Sequence, residues 1–234
     1  MNKRKLIFAL SPGGAKHEIL ARLLAADGYE TRICEEEEAE RADYYITPKA
    51  RDRSGLTSRG ITPIEYLGRQ DFKECNGILT AEAAIAEAVA HTPFALSSSR
   101  VLVTGSGCIS QPLAHMLRAL GAAVTVTARS SAARCKARLL GYGAYDLCLM
   151  GGEYDIVFNT IPALIFDEAA LSSLNPDTVI IDLASLPGGV DKECADRLGI
   201  KVVPALALPG KYMPETAAKI IRASVRTAIK EMIL

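Results

Sequence analysis

The sequence predicts an α/β protein: a doubly wound parallel sheet preceded by a smaller α/β domain. Three observations carry this. From residue 100 onward, short apolar runs alternate with helical patterns, which is how parallel strands and their crossover helices are written. Within that region the run Val101-Leu102-Val103-Thr104 breaks at Gly105-Ser106-Gly107 and continues as a helix. A second apolar run, Val124-Thr125-Val126-Thr127, follows and ends in Arg129-Ser130. Strand, glycine turn, helix and strand together make the sheet Rossmann-like.

The first elements are shorter. Residues 5–10 read as a buried strand, and Ser11-Pro12-Gly13-Gly14 as a tight turn. Ile19, Leu20, Leu23 and Leu24 share one face of a helix over 16–27, with Gly28 as its stop. Residues 29–34 make a second strand, the acidic run 35–38 a solvated turn or helix start, and 44–47 a third strand. Residues 48–68, rich in Pro, Gly, Ser and Arg, read mostly as loop with a short strand. Thr80 reads as the N-cap of a strong helix with Glu82 in its first turn, and Pro93 stops it.

Strands then fall at 100–104, 123–128, 145–148, 154–159, 178–182 and 201–203. Helices fall at 109–120, 131–141, 167–173 and 191–198. A last helix, 214–233, carries Ala217, Ile220, Ile221, Val225, Ile229 and Met232 on one face. The domain organisation follows: 1–78, a small α/β domain on the substrate side; 79–93, a hinge helix; 94–213, the dinucleotide-binding domain; and 214–234, a helix packing back across the hinge.

Composition excludes several classes. Lys and Arg number 27 and so do Asp and Glu, so no basic bias marks a nucleic-acid surface. The first apolar run is too short for a signal peptide, and no run approaches the ~18 residues of a membrane span. The six cysteines form no CxxC pair, which points to reduced thiols in the cytoplasm and to no metal site.

The cofactor reading rests on the glycine turn. Gly105 permits the sharp exit from the strand, and Gly107 lets the backbone approach a pyrophosphate. The helix N-terminus behind them supplies free N–H groups and partial positive charge. Ser106, Cys108 and Ile109 complete the loop, and Ser110 holds the third position of the fingerprint. An NAD site places an acid after the second strand. Here Arg129 and Ser130 can instead bind a 2′-phosphate, so NADP is expected. Asn159, Thr160, Ile161 and Pro162 end another strand and should border the nicotinamide ribose.

Asp182 and Ser185, one strand over, are the candidate catalytic residues; Glu82 is a further candidate base, with helix capping the favoured reading for it. Residues expected to border substrate are Ser11, Gly13, Gly14, Thr80, Glu82, Gly188 and Gly210. His17, His91 and His115 occupy helical stretches and read as surface or core.

Several segments together resemble the A chain of dipicolinate synthase. They are Thr80-Ala81-Glu82; Asn159-Thr160-Ile161-Pro162-Ala163-Leu164; Ile181-Asp182-Leu183-Ala184-Ser185; Pro187-Gly188-Gly189 with Asp191; and Leu208-Pro209-Gly210 with Pro214 and Thr216-Ala217-Ala218. The resemblance runs from about Asp71 to the end, and parts of it are also similar to shikimate and alanine dehydrogenases. It implies a sporulation enzyme that forms pyridine-2,6-dicarboxylate from a hydroxylated tetrahydropyridine, with NADP accepting the hydride. It also implies a small dicarboxylate substrate and, as partner, the flavoprotein-like B chain of dipicolinate synthase. A homodimer is expected by analogy of fold.

The chain departs from the family pattern at Cys108 and Ser110 (Arg and Gly in the family), at Leu186 (commonly Lys) and at Ala15 (Asp). The family's first domain is longer. Two other readings stay open: a non-catalytic NADP-binding partner protein, and a shikimate- or imine-dehydrogenase-like enzyme.

Overall fold

The computed structural model describes residues 5–233. The outer limits of the expected first domain and last helix, residues 1–4 and 234, lie outside the described residues. The chain divides into two compact units, Met1–Asn76 with Pro209–Leu234, and Gly77–Leu208.

The first unit runs β1 (Ile7–Leu10), α1 (Ala15–Ala26), β2 (Glu30–Ile33), β3 (Tyr44–Thr47), α2 (Arg53–Ser58) and β4 (Thr62–Glu65). All four strands are parallel, in the order β2-β1-β3-β4. Side chains alternate across a strand, so one face carries Phe8, Leu10, Ile46 and Ile64 and the other Ala9 and Tyr45. The first face is covered by Leu20 and Leu24 of α1 and by Ile221, Val225 and Ile229 of the last helix. Burying each such side chain stabilises the unit by about 1.5–3 kcal/mol.

Residues 48–68 hold more structure than their composition suggested. Asp52 caps α2, its Oδ1 accepting from the Gly55 amide at 2.9 Å, and Leu56 is fully buried. Glu36, from the acidic run expected to be solvated, is buried and accepts from the amides of Arg51 (2.9 Å) and Asp52 (2.7 Å). A carboxylate 15 residues upstream thus organises the loop. Pro63 sits in β4, an edge strand, where its missing N–H costs no ladder bond.

α3 (Gln70–His91) starts ten residues before the expected cap. Thr80 is a buried mid-helix residue and not an N-cap, and Glu82 lies well past the first turn. The helix runs through Asn76-Gly77, a pair that locally disfavours a helix. In the structure a Cβ at Gly77 would run into the carbonyl of Cys108, so the glycine serves helix packing inside the second unit.

The second unit continues with β5 (Arg100–Thr104), α4 (Ser110–Ala119), β6 (Ala123–Thr127), α5 (Ser131–Leu139), β7 (Gly143–Tyr145) and β8 (Ile156–Asn159). It then runs through α6 (Glu168–Ser172), β9 (Val179–Asp182), α7 (Lys192–Leu198) and β10 (Lys201–Pro204). The short strand expected at 145–148 lies at 143–145. Six parallel strands stand in the order β7-β6-β5-β8-β9-β10, so the order reverses between β5 and β8. β8 and β9 are buried at every position, as strands covered on both faces must be.

α8 (Leu208–Tyr212) occupies the loop expected after β10. α9 (Pro214–Ile233) packs along α1 in the first unit, where Arg222 pairs with Asp27. No helix among the described residues is long and apolar enough to cross a membrane.

Candidate functional site

In open parallel sheets, ligands sit beyond the carboxyl ends of the strands where the order reverses. In the second unit that place is the exit of β5. Gly105 has φ 94°, and its amide donates to the Thr127 carbonyl at 2.8 Å. A Cβ there would stand 2.7 Å from Thr160 Oγ1, so both conformation and space require glycine. Ser106 and Gly107 are exposed, and nothing lies within 4 Å in front of Gly107. Cys108 and Ile109 are half-buried. Ile109 stands at the N-cap of α4 and offers no side-chain acceptor; the Gln111 amide donates to the Gly107 carbonyl at 3.2 Å and Pro112 has no N–H, so the Ser110 amide is the first-turn donor left for an anion. Ser110 is buried and donates to the Gly107 carbonyl at 3.2 Å. The serine that departs from the glycine fingerprint therefore closes the turn. The open space at Gly107, with the Ser110 amide beside it, fits a dinucleotide pyrophosphate.

Two residues that the sequence did not single out join this loop. Gln111 donates to the Ser106 carbonyl at 2.8 Å and accepts from Lys136 Nζ at 3.0 Å. They border a cavity of about 100 Å³ with Gly105, Ser106, Val126 and Tyr142. No local pattern marks the pair, because α4 and α5 supply one residue each.

After β6, Arg129 and Ser130 are exposed. Ser130 caps α5, accepting from the Ala133 amide at 3.4 Å. Arg134, also unforeseen, pins the loop: its Nη1 donates to the carbonyls of Ala128 and Arg129, both at 2.7 Å, and to Asp146 at 2.6 Å.

Beyond β8 and β9 lies a buried polar knot. Asn159 Oδ1 accepts from Thr104 Oγ1 (2.8 Å) and the Ile161 amide (3.1 Å). Its Nδ2 donates to Asp182 Oδ1 at 2.9 Å. Asp182 also accepts from the amides of Ala184 (3.2 Å) and Gly189 (3.4 Å). Thr160 donates through its hydroxyl to the Thr104 carbonyl at 2.6 Å. Asn159 and Asp182 are thus buried fasteners, while Pro162 and Ser185 stand exposed on the rim and Ile161 and Gly188 are half-buried. Thr80 and Glu82 lie on α3.

The first unit has its own reversal, between β1 and β3. Ser11, Gly13 and Gly14 form the loop there, and Gly210 of α8 lies against the Lys16 side chain. Behind the loop is His17, 1% exposed. Its Nδ1 is 2.6 Å from the Ser11 carbonyl and its Nε2 is 2.9 Å from the Tyr66 hydroxyl. A carbonyl only accepts, so Nδ1 carries the proton and Nε2 accepts from Tyr66. Burial depresses the pKa of His17 and raises that of the Tyr66 phenol. The expectation of a core histidine missed that it supports this loop.

The sheet order, the glycine exit and the second parallel unit define the fold class of two-unit dinucleotide-binding dehydrogenases. No family model matches the chain. The dipicolinate synthase A chain of Bacillus subtilis (strain 168) is 38% identical over 161 residues, covering 68% of this chain and 54% of the relative, so the match spans about half the relative's length. The crystal structure of the dipicolinate synthase A chain from Bacillus subtilis superposes with a TM-score of 0.86 at 25% identity, over 98% of this chain and 97% of that one. Apo D-lactate dehydrogenase from Escherichia coli shares the fold alone, with a TM-score of 0.66 at 13% identity over 97% of each chain. The chain is thus similar to the dipicolinate synthase A chain in sequence over 161 residues and in fold.

Proposed function

We propose that this chain is an NADP-dependent oxidoreductase that forms pyridine-2,6-dicarboxylate from a hydroxylated tetrahydrodipicolinate. The observation that carries the reading is the exit of β5. Gly105, Ser106 and Gly107 form an open cradle before the uncapped first turn of α4, and exposed Arg129 and Ser130 stand after β6 where an acid would select NAD. Kinship with the dipicolinate synthase A chain supports the substrate.

The overall change balances as loss of one water, then removal of a hydride and a proton, which leaves an aromatic pyridine. NADP bound at the cradle supplies the hydride acceptor. The protein's part is orientation. The Ser110 amide and Gly107 hold the pyrophosphate, and Arg129 with Ser130 holds the 2′-phosphate. Asn159 and Asp182 act as positioning residues, fixing the tips of β8 and β9 so that the rim with Ile161, Pro162, Ser185 and Gly188 faces the ring. Ser11, Gly13, Gly14 and Gly210 supply the substrate side. In this reading the enzyme works in the cytoplasm as a homodimer, with the B chain of dipicolinate synthase as partner.

The test is calorimetric titration with NADP and NAD, followed by turnover with the product of dihydrodipicolinate synthase, with and without the B chain. NADP binding tighter than NAD, and a rise in absorbance from pyridine dicarboxylate, are expected. Binding without turnover in either condition would make the protein a cofactor-binding partner. Absence of nucleotide binding would end the proposal.

A further inference from the structure

Next to the β1–α1 turn of the first unit stand two polar groups that the described residues leave unsatisfied. The hydroxyl oxygen of Ser11, at the tip of β1, is buried and meets no hydrogen-bond partner among the described residues. The ammonium of Lys16, second residue of α1, has no acceptor among the described residues, and its stem lies 3.4 Å from where a Cβ on Gly210 would be. Behind both, Gly14 presents no side chain to the first turn of a twelve-residue helix, and its carbonyl takes the His17 amide at 2.9 Å, which leaves the amides of Ala15 and Lys16. The one acid in that turn, Glu18, is exposed. The sheet order reverses at this point.

We propose that Ser11, the Lys16 ammonium and the backbone amides of Ala15 and Lys16 form an oxyanion receptor for one carboxylate of the small dicarboxylate, with His17 as its positioning residue. This rests on the reading that the first unit carries the substrate. The physical case is one of complementarity. An unsatisfied buried hydroxyl and a desolvated cation each cost free energy that an oxyanion would recover. The helix terminus adds partial positive charge in the same turn. Burial lowers the Lys16 pKa, the shift expected of an ammonium removed from water without a counter-ion. His17 holds the Ser11 carbonyl from behind at 2.6 Å and is itself held by Tyr66, so the turn is shaped before any ligand arrives.

Competitive acetylation of the full chain, read by mass spectrometry, tests this. Lys16 should react slower in the presence of pyridine-2,6-dicarboxylate, by fivefold or more, while exposed Lys192 is unchanged. The neutral pyridine-2,6-dicarboxamide should not protect. Inorganic phosphate is the second oxyanion probe. Protection by phosphate but not by the dicarboxylate keeps the receptor and removes the dicarboxylate reading. Protection by neither, or equal protection by the diamide, overturns the receptor. In calorimetry, Lys16→Gln should weaken dicarboxylate binding tenfold or more with NADP affinity unchanged, and Lys16→Arg should restore part of it. Unaltered binding in Lys16→Gln would also overturn it.

Discussion

Asn159 donates through Nδ2 to Asp182 Oδ1 at 2.9 Å, and both side chains are buried at the adjoining ends of β8 and β9. The bond ties two rim loops together, because Asn159 also reaches Thr104 and Ile161 while Asp182 reaches the amides of Ala184 and Gly189. Asp182→Ala strands several buried donors at once. It should destabilise the protein by about 2–4 kcal/mol, visible as a lower urea midpoint. A variant as stable as the parent would show that the knot contributes nothing.

Gly77 lies inside α3, where exchange of glycine for alanine ordinarily stabilises a helix by about 0.5–1 kcal/mol. Here the added methyl meets the Cys108 carbonyl, part of the cofactor loop. Gly77→Ala should therefore lose about 1–3 kcal/mol through overpacking, and should weaken NADP binding at the same time. A more stable variant with intact affinity would contradict the packing argument.

Arg129 and Ser130 divide their work. Ser130→Ala removes the cap of α5 and should cost about 1 kcal/mol of stability. Arg129→Ala leaves the cap in place. It should reduce NADP affinity about tenfold, the loss of one charge-assisted contact, while NAD affinity stays the same. Equal loss for both nucleotides would remove Arg129 from the 2′-phosphate site.

His17 makes stability depend on pH in a definite direction. Burial depresses its pKa below the ordinary 6.5. Below that value the unfolded chain takes up a proton that the folded chain refuses. Stability is therefore retained above pH 6.5 and falls as the pH drops from there towards the depressed folded value. The drop should be smaller in His17→Gln. Denaturant midpoints measured between pH 7.5 and 5 check this, and parallel curves for the two proteins would assign the acid sensitivity elsewhere.

Much of the second unit is written locally. The apolar runs 101–104, 124–127 and 178–182 and the Gly105-Ser106-Gly107 turn are read from neighbouring residues, because strand period, turn chemistry and capping act over a few positions. Helices of the first unit were harder. α2 hid in a polar stretch because its anchor, Glu36, comes from far upstream. The start of α3 lies ten residues before Thr80: a threonine followed by an acid resembles a cap locally, while the helix in fact continues through Gly77, which packs on the Cys108 carbonyl.

The sequence by itself determined the alternation of strands and helices, the class of sheet and the glycine exit that could cradle a pyrophosphate. Only the tertiary structure decided that Asn159 and Asp182 are buried partners, that His17 backs the Ser11 turn, and that Gln111 and Lys136 meet across two helices. Propensity and periodicity are properties of adjacent residues. Desolvation and hydrogen bonding between distant side chains arise only when the fold brings them together and removes the water.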